Sequence, residues 1–264
     1  MNIIGLYNHP ELLKAGLLSS HPHITDKGPI LIDNTHNEFE SFGQAIRFAL
    51  YRFTDDQVLV LAHQDALFYD PETFNKIPEW IRSIARNDDY LAGAVGQRSK
   101  KSEKEGCGVN PIISGGKQIS NIPISEPETV QIIDECVMIT NRQTIERFNL
   151  FTDNRFDWHL YAADASLTLA EQGYAVYVLP LKINHLSAGH VDLNYLNKAK
   201  LLLKKYGLKN VVTTNGLINH RILALRRFKR RARQLSNPLK QMIKFRCQSH
   251  DSNRNMPPAT KEQS

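Results

Sequence analysis

The chain has 264 residues, 41% of them hydrophobic and 23% charged, which suits one large α/β domain with an appendage and excludes a disordered or fibrous protein. No run reaches the roughly 18 apolar residues of a membrane span, no basic-then-apolar leader is visible, and Cys107, Cys136 and Cys247 stand too far apart for a disulfide framework or a zinc knuckle, so a reduced, cytosolic protein is expected. The net charge of +6 is uneven: Val191–Ser264 holds 17 Lys and Arg against 3 Asp and Glu, leaving 16 against 24 in the first 190 residues, a mildly acidic body with a basic tail suited to a polyanion such as nucleic acid or an anionic membrane.

Asn2–Tyr7 is a short apolar run ending at polar Asn8 and reads as a buried strand. Leu12, Leu13, Leu17 and Leu18 follow at helical spacing. Pro29–Asn34 is a second strand with polar residues at its end. From Ser41, apolar side chains at Phe42, Ala45, Ile46, Ala49, Leu50 and Phe53 predict an amphipathic helix. Gln57–Ala62 is a third strand, apolar throughout. Continuous apolar strands alternating with helices indicate a sheet covered on both faces, built from βαβ units with parallel strands. Pro71 opens a helix with Phe74, Ile77, Trp80, Ile81 and Ile84 on one side, and Leu91–Val95 is a fourth strand.

Gly96–Glu128 loses periodicity and is rich in Gly, Ser, Lys and Pro, which predicts a long functional loop. Val130–Thr140 restores order, followed by a short helix at Thr144–Phe148. A longer helix is expected at His159–Gln172, closed by Gly173, and then a strand at Ala175–Pro180. In the tail, Asn194–Tyr206 looks helical. His220–Leu235 carries Ile222, Leu225, Phe228, Ala232 and Leu235 at spacings of three and four among Arg and Lys, a basic amphipathic helix. Ser249–Ser264 is polar and expected to be disordered.

Ligands of open α/β sheets bind beyond the C-terminal ends of the strands. The polar clusters there are Tyr7-Asn8, Asp33-Asn34, His63-Gln64-Asp65 and Asp134-Glu135. Neither GxGxxG nor GxxxxGK[ST] is present, so carboxylates rather than a glycine-rich cradle would face the ligand. A pyrophosphate facing carboxylates needs a bridging divalent cation. Asp65, at the end of a buried strand, is the best-placed acid to hold one.

These segments, in their order and spacing, resemble the family-2 glycosyltransferases of the GT-A fold, closest to the branch with the streptomycin-biosynthesis glycosyltransferase-like domain. The resemblance runs from Ile30–Asn34 through Leu59–Asp65, Ala92–Gly96, Ile133–Cys136, Phe156–Asp164 and Gly173-Tyr174 to Asn184–Gly189, so it spans about residues 3 to 190. It implies a mostly parallel central sheet flanked by helices, with C-terminal basic helices after it. It divides the chain into a transferase domain at 1–190, a basic helical tail at 191–248 and a disordered end at 249–264. The implied activity is transfer of a sugar, with inversion, from a nucleotide-diphospho-sugar donor to an acceptor hydroxyl, supported by Mn or Mg. The implied process is bacterial surface polysaccharide or lipopolysaccharide assembly.

The family's Asp-x-Asp motif falls on His63-Gln64-Asp65, with His in place of the first acid. Asp65 would hold the metal, and His185 matches a late His that is a further metal ligand in some members. Tyr7, Asn8, Asp33, Asn34, His63, Asp134 and Glu135 are the expected donor-binding residues. Counting back from Gly173, the usual general base falls on Ala162, so Asp164 is the expected substitute and Asp157 the next. A lipid-linked or other glycan acceptor would bring the basic tail against the anionic inner membrane, making the protein cytoplasmic and peripheral. The departures at His63 and Ala162 keep open a non-catalytic scaffold that binds a sugar nucleotide or a partner. Nucleic acid is disfavoured as a ligand because the body is acidic.

Overall fold

The computed structural model describes residues 1–20, 28–99, 108–187 and 191–229. β1 (Asn2–Tyr7) is followed by α1 (Pro10–Ala15), β2 (Ile30–Asp33), α2 (Phe42–Leu50) and β3 (Leu59–His63). The expected α2 forms because one stripe is apolar; Phe42, Ala45, Ile46, Ala49 and Leu50 are buried, and the Ser41 hydroxyl accepts from Gln44 N–H at its start. β4 (Ala66–Phe68) leads to α3 (Pro71–Asn75) and α4 (Ile77–Ile84). The single helix expected from Pro71 onward is two. Pro78 has no N–H to continue the ladder, so the chain ends one helix at Lys76 and starts another.

Next come β5 (Ala92–Gly93), β6 (Gly96–Gln97), β7 (Gly108–Val109), β8 (Ile112–Ser114), β9 (Lys117–Ile119), β10 (Glu128–Val130), β11 (Ile132–Ile133) and β12 (Val137–Thr140). The segment expected to be a structureless loop therefore holds β6 to β9 and the start of β10; residues 100–107 lie outside the described part. Strands of two or three residues are too short to show a period. What orders them is long-range: the buried Asn110 amide donates to Ala94 O at 2.6 Å, Leu181 O at 2.8 Å and Leu179 O at 3.3 Å. The chain then forms α5 (Arg142–Arg147), α6 (Tyr161–Glu171), β13 (Val176–Val178), β14 (Ile183–His185), α7 (Leu193–Lys205), β15 (Asn210–Thr213) and β16 (Gly216–Asn219).

The central sheet has seven strands in the order β10-β13-β5-β12-β3-β1-β2. β1, β2, β3, β5 and β13 share one direction, while β12 and β10 run against it. The expected mostly parallel α/β sheet flanked by helices is the one observed, with the reversed β12 inserted between two forward strands. β3 is buried along Leu59–Ala62, as a strand covered on both faces must be. A second sheet, β4-β14-β8-β9, stands at the end of β3.

The compact unit runs from Met1 to His220, so α7 and the β15–β16 hairpin are built into it. α7 buries Tyr195, Leu196, Ala199, Leu202 and Leu203, and its polar side chains reach back into the body. Lys198 pairs with Asp157 at 2.7 Å, Lys205 with Asp164 at 2.6 Å, and Tyr195 Oη meets Thr213 Oγ1 at 2.9 Å. Of the expected basic helix at 220–235, residues 220–229 are helical and the rest lie outside the described residues, as does the expected disordered end at 249–264.

Candidate metal centre

Two strand pairings converge at the C-terminal end of β3. The strand ends in His63, and Asp65 stands in the tight link to β4. β4 pairs antiparallel with β14 so that Ala66 faces His185, which brings the imidazole beside the carboxylate of Asp65. β14 pairs parallel with β8 so that His185 faces Ser114. His185 Nε2 lies 3.2 Å from Asp65 Oδ1 and 3.4 Å from His63 Nδ1. One donor atom from each of His63, Asp65 and His185 lies within 4.8 Å of the other two. The second oxygen, Asp65 Oδ2, accepts from Ser187 N–H at 3.0 Å, and Leu186 N–H donates to Asp65 O at 3.0 Å.

Two imidazoles and one carboxylate on one side of a point could hold a divalent metal and leave its other positions open. The two imidazoles favour a transition ion over Mg²⁺ or Ca²⁺, which prefer oxygen ligands alone. The protonation states agree. Burial acts to raise the Asp65 pKa, but the hydrogen bond from His185 and its charge prevail and hold the carboxyl ionised, well below the usual range. Burial and the neighbouring His185 push His63 down to about 4, so its imidazole is neutral at physiological pH. Burial acts to lower His185, but the hydrogen bond and charge of Asp65 raise it above the ordinary value. A metal ion would displace the proton that His185 shares with Asp65.

A cavity of about 440 Å³ opens over this cluster, in the range of small-ligand sites. His63, Asp65 and Ser187 form its floor; Tyr7, Asn8, His9, Asn34 and Asn37 line the side at the ends of β1 and β2. Phe42, Trp158 and Tyr161 make an aromatic wall, with Tyr161 stacked on Phe42 at 4.1 Å between centroids and Trp158 37% exposed. No Lys or Arg lines the cavity among the described residues. Gln64 is structural: its Oε1 accepts from Asn8 N–H at 3.0 Å and His9 N–H at 2.8 Å, which fixes the start of α1.

The structure thus gathers Tyr7, Asn8, Asn34, His63, Asp65 and His185, and makes His63 a third member of the expected Asp65–His185 metal pair. Asp33 stands one step back, accepting from Tyr7 Oη at 2.8 Å and from Thr35 N–H at 2.8 Å. Asp134 and Glu135, expected to bind the donor, do not line this cavity. They border a separate space of about 20 Å³, enough for one water, with Thr213, Thr214 and Asn215. Asp134 is taken up by Thr214 Oγ1 and by Cys136 N–H. Asp164, the expected general base, also does not line the cavity. It is 5% exposed on α6, and its Oδ1 accepts from Lys205 Nζ at 2.6 Å and Tyr206 Oη at 2.8 Å, an acid consumed by α7. Asp157 does not line the cavity either; it precedes the lining residue Trp158 in sequence and is paired with Lys198.

Phe42, Trp158, Tyr161 and Ser187 were not among the expected site residues. Nothing local marks them, since each enters the site through a distant partner.

No protein-family model matches this sequence, and no curated protein does. Among solved structures, the chain is similar to "GalNAc-T7 with UDP, GalNAc and Mn2+", at a TM-score of 0.48 and 12% identity, over 77% of this chain and 47% of that one. The chain thus spans about half the length of that protein. What the site does chemically follows from its own donor atoms.

Tyr161 is held in place by its helix. Leu160 precedes α6 in a left-handed conformation at φ 64° and offers no side-chain cap. The backbone N–H groups of Leu160 and Tyr161 are met instead by Glu135. Burial, with the charge of Asp134, lifts Glu135 to about 8, and its Oε1 has no hydrogen-bond partner among the described residues. A carboxyl whose folded pKa exceeds its ordinary 4.5 binds its proton more tightly in the folded state. Its contribution to stability is therefore complete at low pH and lost progressively as pH rises from about 4.5 to about 8. Glu135→Gln keeps the acceptor for the helix and removes the titration. Its melting temperature should fall less between those pH values than that of the wild type, and equal slopes would show that Glu135 is already ionised.

Proposed function

We propose that this protein is a metal-dependent glycosyltransferase of the GT-A type, moving a sugar from a nucleoside-diphosphate sugar to an acceptor hydroxyl. The observation that carries this reading is the His63–Asp65–His185 cluster at the floor of a ligand-sized cavity without Lys or Arg among its described lining residues. A diphosphate entering such a cavity meets a carboxylate, so its charge must be balanced by a cation. A divalent ion held there supplies charge neutralisation for the diphosphate leaving group. The hydroxyl and amide groups of Tyr7, Asn8, Asn34 and Asn37 offer donors and acceptors for a base and ribose. The Trp158, Phe42 and Tyr161 rings exclude water from the opposite wall.

Asp65→Asn removes the charge and keeps the shape. Calorimetry with UDP or GDP plus Mn²⁺ should show nucleotide affinity in the wild type that the variant loses. Unchanged affinity would take Asp65 out of the site.

The proposed transfer inverts the sugar, and an inverting transfer needs a carboxylate to take the acceptor proton. Asp164 is buried against Lys205 and Tyr206, so Asp157, which is paired with Lys198 but adjoins the cavity-lining Trp158, is the better-placed acid. Asp157→Asn should lower turnover by roughly 10²–10⁴-fold with donor binding retained. Asp164→Asn should lower stability more than turnover. The reverse pattern would restore Asp164, and two fully active variants would exclude both acids as the base. Donor hydrolysis absent even with Mn²⁺ would favour a scaffold that binds a sugar nucleotide without transfer.

We further propose that the acceptor is lipid-linked, in assembly of a bacterial surface polysaccharide or lipopolysaccharide, and that the tail holds the protein on the cytoplasmic leaflet. No described helix is long and apolar enough to cross a membrane. In the helical residues 220–229, Leu225 is 54% and Phe228 71% exposed among Arg221, Arg226, Arg227 and Lys229. Each cation near an anionic leaflet contributes about 1 kcal/mol, and the apolar side chains add a part that salt does not screen. A chain ending at His220 should pellet far less with anionic liposomes than the full chain, while still binding donor. Equal pelleting would exclude the membrane role.

A further inference from the structure

Each imidazole of the cluster uses one nitrogen toward the shared centre, and each second nitrogen meets a hydroxyl. His185 Nδ1 lies 3.2 Å from Ser114 Oγ, and Ser114 donates to Ser187 O at 3.1 Å. A serine hydroxyl carries one hydrogen. Spent on Ser187, it leaves Ser114 only able to accept from His185. His185 Nδ1 therefore keeps its hydrogen, and Nε2, whose proton is shared with Asp65 until an ion displaces it, is the nitrogen that can turn a lone pair to a metal. This is the tautomer a free imidazole in water populates less.

On the other side, His63 Nε2 lies 2.7 Å from Tyr161 Oη, and its Nδ1 faces His185 Nε2 at 3.4 Å. The His185 Nε2 proton directed at Asp65 also faces His63 Nδ1, which makes Nδ1 the acceptor of that pair, so the His63 hydrogen sits on Nε2 and donates to the phenol oxygen. Tyr161 can hold that position because its ring is fixed independently. It stacks on Phe42 at 4.1 Å with 9° between planes and meets the edge of Phe151 at 6.3 Å. Ser114 is fixed by the pairing of β8 with β14. The two hydroxyls come from α6 and β8, so four separate parts of the chain, with β3–β4 and β14, agree on one point in space.

We propose that Tyr161 and Ser114 are positioning residues that lock His63 and His185 in opposite tautomers, so that Nδ1 of one and Nε2 of the other both face the metal position. Their hydrogen bonds set ring orientation and lone-pair direction, and neither residue is itself a ligand. The inference rests on the metal reading above and adds that the site is set before any ion arrives.

Direct metal binding tests it, with no need for turnover. Full-length, metal-free protein is titrated calorimetrically with Mn²⁺ alone. Tyr161→Phe keeps the ring stack and Ser114→Ala keeps the strand, so both should melt near the wild type. Each should bind Mn²⁺ about 10–100-fold more weakly, the usual loss for an outer-shell partner of a metal-bound His. Ser114→Thr, which restores the hydroxyl, should recover most of the affinity. Imidazole nitrogen NMR of the protein loaded with diamagnetic Zn²⁺ gives a second readout: hydrogen on Nε2 of His63 and on Nδ1 of His185, with a tautomer mixture at His63 in Tyr161→Phe and at His185 in Ser114→Ala. Wild-type protein that binds Mn²⁺ while both variants bind it equally well overturns the inference and leaves the metal site standing. So does a wild type with either imidazole in the other tautomer. Wild-type protein that binds no divalent ion overturns the metal reading and this inference together.

Discussion

The buried carboxylate of Asp65 is the constraint around which the site is arranged. An ionised carboxylate withdrawn from water is stable only when its oxygens are paired. Here one oxygen takes the Ser187 N–H and the other faces His185. Both partners come from β14 and the residues after it, more than a hundred positions along the chain. The β4–β14 pairing is thus an electrostatic requirement as well as a backbone one: a slip of one residue would turn His185 to the other face and leave Asp65 unpaired. The same register aligns β8, which supplies Ser114.

The reversed strand β12 has a related consequence. Because it runs against β3, its start lies beside the end of β3, and His63 N–H donates to Cys136 O at 3.0 Å. Asp134 and Glu135 are carried to the same end of the sheet as the metal cluster. They reach it from behind Tyr161 rather than through the cavity. Glu135 supplies the polar partner that the start of α6 lacks, Tyr161 begins α6, and the Tyr161 hydroxyl meets His63. An acid that looks like a ligand-binding residue at a strand end thus acts on the His63–Asp65–His185 cluster through a helix terminus.

The segment after residue 190 completes this arrangement. Lys198 and Lys205 neutralise Asp157 and Asp164, two acids of the body, so part of the charge imbalance between body and tail is resolved inside the compact unit. Asp164 is buried at a helix start, where an acid is ordinarily favoured by the helix dipole. With Lys205 and Tyr206 pressed against it, it serves the docking of α7 and is withheld from chemistry in the cavity.

The sequence by itself determined what local physics can encode. Apolar runs marked β1 and β3, the period of α2 marked its buried face, and polar residues after strands, including Asp65, marked the end of the sheet at which the cavity opens. Those signals lie within windows of a few residues and survive without knowledge of the rest of the chain. It was silent on the two- and three-residue strands β6 to β9, which exist only because partner strands satisfy their backbone groups and Asn110 ties their segment to Ala94, Leu179 and Leu181. It was silent also on the break at Lys76, where one missing N–H at Pro78 overrode a continuous apolar stripe. The roles of the acids were decided by tertiary structure alone: Asp65, Asp134, Glu135, Asp157 and Asp164 look alike in sequence. Each is assigned by what the fold places within hydrogen-bond reach of it, an imidazole, a threonine, a helix start or a lysine. Hydrogen bonds and ion pairs act over that distance, and the partners come from positions that no sequence window joins.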